Sequence, residues 1–233
     1  MKRLPAHLPE SLSRRLNTYA LAASAAGVGL LALAQPADGK IVYTRAHHLI
    51  GSGESYMLDL NRDGKADFRL AHRVVNTDSG HASSLYASAA SFADKNEVQG
   101  TRGSHSFLAS ALEGGARIPE GHFSYKGVMA YACTAIFCSK YNRGNWINVR
   151  NRYLGLKFRI RGKTHYGWAR LTVQTQYPAT IVAILTGYAY ETIPNKPIIA
   201  GKTHGKDVIT IKPASLGHLA RGAAAIPAWR NKE

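Results

Sequence analysis

Acidic residues are scarce: the 233-residue chain has 14 Asp and Glu against 30 Lys and Arg, a formal charge of +16. With so few acids and no heptad pattern, the composition argues against a coiled coil. Long charged tracts are missing too, and 22 Gly and 12 Tyr in a 45% hydrophobic chain describe a folded, turn-rich body rather than a disordered one. The length suits one generous domain or two small ones. No uncharged apolar run reaches the roughly 20 residues of a permanent transmembrane helix. Catalytic signatures are absent: there is no Gly-x-Ser-x-Gly, no His-Glu-x-x-His and no phosphate-binding glycine loop. Gly103-Ser104-His105 is a fragment, not a motif.

What is present begins with an address. Lys2, Arg3, Arg14 and Arg15 stand against the single acid Glu10, and residues 20–34 then run without a charge. A basic segment followed by a short Ala- and Leu-rich one, ending at Ala32-x-Ala34, predicts a signal peptide over residues 1–34 and an exported mature protein. Its removal takes four cations and one acid, which leaves +13 on the body. Such a field attracts polyanions, and outside the cell these are acidic envelope polysaccharide or anionic lipid. The Lys and Arg are scattered singly, without the basic cluster and stacking aromatics of a nucleic-acid reader, so no specific nucleic-acid partner is expected.

Two cysteines, Cys133 and Cys138, are the whole complement. In an exported chain an even count predicts one disulfide. The enclosed loop is tiny, so its entropic contribution is small, about 2 kcal/mol. Cys-x-x-Cys spacing is not met and no His is near, which disfavours redox or metal chemistry there.

The body alternates apolar and polar residues as half-buried strands do. Leu154, Leu156, Phe158 and Ile160 fall on one side of segment 153–160, with Tyr153, Lys157 and Arg159 on the other. A turn at 161–163 leads to a strand over 164–173, and a second turn containing Pro178 leads to a strand over 180–191. Further strands are expected at 40–44, 55–60, 67–75, 122–128 and 146–149. Residues 82–93 and 104–112 read as short helical turns inside a region, 76–121, without clear periodicity. The fold class is all-β: a single antiparallel sandwich or jelly-roll-like domain over residues 35–201, with long loops and little helix. Residues 202–233 form a polar linker and tail.

Asp59-Leu60-Asn61-Arg62-Asp63-Gly64-Lys65-Ala66-Asp67-Phe68 carries the sharpest chemical signal. Calcium takes several hard oxygens, and side chains at positions 1, 3, 5 and 9 of such a loop converge while a glycine at position 6 permits the turn. Asp59, Asn61, Asp63 and Asp67 occupy those positions, with the Lys65 carbonyl at position 7. Position 12 is Leu70 where a bidentate Glu belongs, so the loop departs from an EF-hand. It resembles the Asp-rich repeats that join β-strands in extracellular calcium-binding proteins, and a weak site is expected, about 10⁻⁴ to 10⁻³ M. A plain Asx-rich turn is the alternative.

For glycosidase chemistry two carboxyl groups must lie roughly 5–10 Å apart; Glu54, Glu97, Glu113, Glu120 and Glu191 are the candidates, none with a supporting signature. His47, His48, His81, His105, His122 and His165 are expected in surface or structural roles. Tyr166, Trp168, Tyr188 and Tyr190 fit core or cross-strand packing better than sugar stacking.

The tail, residues 213–230, ends in Pro227-Ala228-Trp229-Arg230. It resembles the tails of bacterial PEP-CTERM-type sorted proteins, which join a Pro-containing signature, an apolar helix and a basic end. His218 and Arg221 interrupt its apolar stretch, and no Pro-Glu-Pro triplet precedes it; a degenerate sorting tag, an interfacial helix and a plain tail stay open. Lys40-Ile41-Val42-Tyr43-Thr44, the Asp59–Phe68 loop, His165-Tyr166-Gly167-Trp168-Ala169-Arg170-Leu171, Gly187-Tyr188-Ala189-Tyr190-Glu191-Thr192 and Pro197-Ile198-Ile199-Ala200-Gly201 are similar to a set shared by exported bacterial proteins of unknown function. The resemblance implies an exported β-rich protein at the cell surface or outside it, and brings no catalytic residues. A binding or structural role with a weak calcium loop is the first expectation. A carbohydrate-active enzyme or binding module, or a basic protein held at anionic membrane or envelope polymer, are the alternatives.

Overall fold

The structure of the chain, a computed structural model, describes residues 39–104, 106–134, 142–176 and 179–211. The expected signal peptide (1–34), the tail (213–230), His105 and Cys138 lie outside the described residues.

Alternation of apolar and polar side chains produces strands throughout. In chain order they are β1 (Ile41–Ile50), β2 (Ser55–Leu58), β3 (Phe68–Thr77), β4 (Gly80–Ala89), β5 (Glu97–Arg102), β6 (Phe107–Ala109), β7 (Arg117–Ile118) and β8 (His122–Ser124). They continue as β9 (Lys126–Cys133), β10 (Asn142–Arg143), β11 (Val149–Ile160), β12 (Lys163–Gln176), β13 (Thr180–Glu191), β14 (Ile198–Ile199) and β15 (Val208–Ile211). No helix forms among the described residues.

Thirteen strands share one sheet in the order β15-β1-β13-β12-β11-β5-β6-β9-β4-β3-β2, with β8 beside β5 and β10 beside β9; β7 and β14 pair separately. The expected meander is there: β11 and β12 join through Arg161 and Gly162, with Ile160 opposite Lys163, and β13 follows antiparallel. Pairing is antiparallel except between β1 and β15 and between β6 and β9.

The sheet curls into a half-barrel, so the two walls of the sandwich-like body belong to one sheet. Register shifts at Arg45/His48, Leu85/Tyr86, Val149/Arg152 and Arg170/Leu171 supply local bends. β13 thereby touches β4 and β9, far from it in strand order.

The inner face holds the main core. Leu154, Leu156 and Phe158 of β11 and Leu171 and Val173 of β12 close on Phe68 and Leu70 of β3 and Leu85 of β4. On the outer face of β1, β11 and β12 a second cluster forms under the β7–β14 pair. Trp168 meets Tyr153 edge-on at 5.2 Å and Tyr43 at 5.8 Å, with Ile118 and Ile198 packed beside them. Tyr153, expected on the solvent side of its strand, is therefore buried as well.

Three expectations are corrected. Residues 82–93 are not helical: residues through Ala89 form β4, whose small Ser83, Ser84 and Ala87 fit between β3 and β9 with all three buried. In 104–112 the short strand β6 replaces helical spacing because Gly100 lets the Leu108 backbone approach β5. Residues 146–148 form a turn, with Trp146 buried beneath it, and β11 starts only at Val149.

Candidate functional site

The Asp59–Asp67 loop joins β2 to β3, which pair directly, Leu58 opposite Phe68. Its first constraint is apolar. Leu60 is buried in the main core, where its Cδ2 lies 2.7 Å from where a Cβ on Gly167 of β12 would stand. Only glycine leaves room for that anchor.

With Leu60 held down, the polar residues organise the rest. Asp59 Oδ1 accepts the backbone N–H of Arg62 at 2.6 Å and of Asp63 at 3.2 Å, and Oδ2 accepts Gly64 N–H at 2.8 Å. Asp63 Oδ1 accepts Lys65 N–H at 2.9 Å, and Oδ2 accepts Asn61 Nδ2–H at 2.9 Å. Gly64 takes φ +90, the turn conformation expected of it. Asp67 Oδ2 accepts Leu60 N–H at 2.8 Å, closing the loop on itself.

Electrostatics follow from this packing. Asp67 is only 8% exposed, and burial, reinforced by the nearby Asp59 and Asp63 carboxylates, pushes its carboxyl up to about 6. Asp63 is exposed and held below the usual carboxylate range by the Asn61 amide and the Lys65 N–H. The hydroxyls of Tyr56, Tyr188 and Tyr190 are pushed up by burial and, more weakly, by the charge on Asp59.

Asp59, Asn61, Asp63, Lys65 and Asp67 thus share one short loop tied together by its own hydrogen bonds. Their oxygens are engaged by the loop's own amides, and among the described residues no three His, Cys, Asp or Glu side chains stand as a preformed metal cluster.

The other candidates are dispersed. Glu54 accepts Gly51 N–H, Glu97 pairs with Lys157, Glu113 pairs with Arg152, and buried Glu191 pairs with Lys196 at 3.1 Å. The Glu120 carbonyl receives Gln99 Nε2–H. The carboxylates of Glu54, Glu97, Glu113 and Glu191 thus have separate partners. His165 donates from Nδ1 to the Glu191 carbonyl at 2.9 Å, His81 bonds Asn76, and His48 stacks on Tyr56. Trp168 and Tyr188 are core residues; Tyr166 and Tyr190 are partly buried against the core. Cys133 ends β9 in a buried position. No helix among the described residues is long and apolar enough to cross a membrane.

Sequence reading did not anticipate where the cations meet. Arg69, Arg73 and Lys126, remote or unremarkable in the chain, line one cavity on the outer face of β3, β4 and β9, beside the exposed rings of Phe92 and Tyr125. Arg69 and Arg73 share the period-2 spacing of one strand face, a signal visible in the sequence; the junction with Lys126 depends on the order β3-β4-β9. Compared with protein-family models, curated proteins and solved structures, the chain matches none.

Proposed function

We propose that this protein is an exported β-domain with a binding or structural role at the cell surface or outside the cell, and that the loop from Asp59 to Asp67 takes a weak calcium ion that stiffens it. One observation carries the calcium reading: three carboxylates and an amide sit on a nine-residue connection whose ends are fixed by the Leu58–Phe68 pairing and whose second residue, Leu60, is buried in the core. A cation relieves the mutual repulsion of Asp59, Asp63 and Asp67 and replaces the water that Asp67 loses on burial. Export rests on the basic and apolar segments over residues 1–34. The disulfide between Cys133 and Cys138 belongs to the same reading. The glutamates lend no support to a glycosidase.

Calcium titration of the purified chain, followed by thermal unfolding, tests the ion. With a dissociation constant near 10⁻³ M, 10 mM Ca²⁺ adds about 1.4 kcal/mol and raises the midpoint by roughly 3–5 °C. Asp63→Ala flattens that response. A midpoint that stays put up to 10 mM overturns the calcium reading. Export is checked apart from it: the intact mass of secreted material should begin at Gln35, and a product retaining Met1 among cytosolic proteins defeats it.

A further inference from the structure

The outer face of β3, β4 and β9 is built of cross-strand rows. Arg69 lies opposite Ser88, which lies opposite Lys126; Ala71 lies opposite Tyr86; Arg73 lies opposite Ser84. Arg69, Arg73 and Lys126 stand around the small Ala71, Ser84 and Ser88, with the Tyr86 ring among them, and a hollow opens between these side chains. The hollow is a cavity of about 590 Å³, with Lys126 Nζ seated over the Tyr86 ring at 4.3 Å.

A second cavity, about 440 Å³, adjoins it and shares Ala89, Phe92 and Tyr125 with the first. Lys95, Lys157 and Arg159 line this one. Six cations therefore border the paired cavities against two acids, Glu54 and Glu97, and Glu97 is already paired with Lys157.

Between the cavities stands an aromatic ridge. Phe92 is 76% exposed and Tyr125 49% exposed, and their rings meet at 4.5 Å with a 47° tilt. Phe92 is an unusually bare ring for a folded domain, yet its loop is firmly held. Asn96, buried at its end, donates from Nδ2 to the Asp67 carbonyl at 3.1 Å and accepts Arg159 N–H at 3.1 Å; Ala89 N–H reaches the Tyr125 carbonyl at 2.7 Å. An exposed ring on a fixed loop among cations is the arrangement of a recognition surface.

We infer that the two adjoining cavities form a site for a linear acidic polysaccharide, its carboxylates held by Arg69, Arg73 and Lys126 on one side of the Phe92–Tyr125 ridge and by Lys95 and Arg159 on the other. Guanidinium groups take carboxylates in bidentate fashion. The ridge offers apolar ring faces to the C–H face of a sugar. A nucleic-acid base would stack on the same exposed ring faces, so the choice of a glycan over nucleic acid rests on the export reading, and the oligothymidylate arm below separates the two; binding is measured on purified protein and does not depend on export.

The experiment compares polygalacturonate, a neutral glucan of similar length, a 20-nucleotide oligothymidylate and vesicles rich in anionic lipid, all at about 0.15 M salt. Polygalacturonate should bind most tightly and the neutral glucan not measurably. Arg69→Ala with Lys126→Ala should weaken polygalacturonate roughly tenfold, since charge-assisted hydrogen bonds are lost. Phe92→Ala, at a position too exposed to disturb folding, should weaken it about fivefold. Arg117→Ala, on β7 outside both cavities, removes one charge and should change affinity by less than twofold. The site assignment is overturned if Arg117→Ala costs as much as the double substitution, if Phe92→Ala is silent, or if oligothymidylate or vesicles bind more tightly than polygalacturonate. Export can fail its own mass test without altering any of these results.

Discussion

Asn96 donates to the main-chain carbonyl of Asp67, the same residue whose carboxylate closes the acidic loop. The Asp67 carbonyl also receives Ala90 N–H at 3.0 Å. One residue therefore fixes the acidic loop from its side chain and the Phe92 loop from its backbone.

Asn96→Ala should reveal this junction. It strips a bond from the Asp67 carbonyl and leaves the part-buried Arg159 N–H without its acceptor. One buried and one part-buried hydrogen bond, with a donor left unpaired, are worth about 1–3 kcal/mol. Urea unfolding should show that loss with an unchanged slope, and polygalacturonate affinity should fall with it, since Asn96 lines the second cavity and holds the Phe92 loop. Stability within 0.5 kcal/mol of the parent, the usual range for a surface substitution, would show that the two loops are held independently.

His72 gives a pH dependence of defined sign. Buried on β3, it donates from Nδ1 to the Gly51 carbonyl and accepts the Ser83 hydroxyl at Nε2; the Glu54 carboxylate is the charged group acting on it. Burial outweighs that carboxylate and holds the imidazole below its ordinary value. The unfolded chain therefore binds the proton more readily, and the stabilisation present above about pH 6.5 is lost as pH falls through the lower folded value. Asp67 acts oppositely. Its raised carboxyl takes up a proton near 6 in the fold, so stability gained there rises as pH falls from about 6 toward 4. Because the two oppose each other, the test is a difference: between pH 7.5 and 5.5, His72→Gln should lose less stability than the parent in urea titrations made with chelator. Equal losses would mean that His72 titrates alike folded and unfolded.

Gly167→Ala places a methyl where Leu60 Cδ2 and the Ala189 carbonyl already sit, the latter 2.6 Å from the new Cβ. Neither neighbour is a loose chain end, since one is backbone and the other is buried core. A loss of roughly 1–3 kcal/mol, typical of overpacking, is expected. Displacing Leu60 also loosens the acidic loop, so the calcium response should weaken in the same variant. An unchanged thermal midpoint would show that Leu60 is not the loop's anchor.

Much of this was legible in the chain. Alternation over 153–160 placed Leu154, Leu156 and Phe158 on the core side, and spacing alone set Asp59, Asn61, Asp63 and Asp67 on one turn. What escaped depended on neighbours far away in sequence. Residues 82–89 look helical by their alanines and leucine, but small side chains pack equally well between two strands, and β3 and β9 supply the hydrogen bonds. Tyr153 reads as solvent-facing until β7 and β14, each two residues long, cover it. The basic groove was hidden for a related reason: Arg69 and Lys126 become neighbours through Ser88, and strand order is not written in local pattern.

The order of strands has a last consequence at the sheet's margins. The outermost members, β15 and β2, each present four residues. β15 covers only Ile41–Thr44 of the ten-residue β1, and β2 only Phe68–Ala71 of the ten-residue β3, so a foreign strand adding at either margin would have to step from a short outer strand onto the one behind it, a poor template for stacking copy upon copy into fibres.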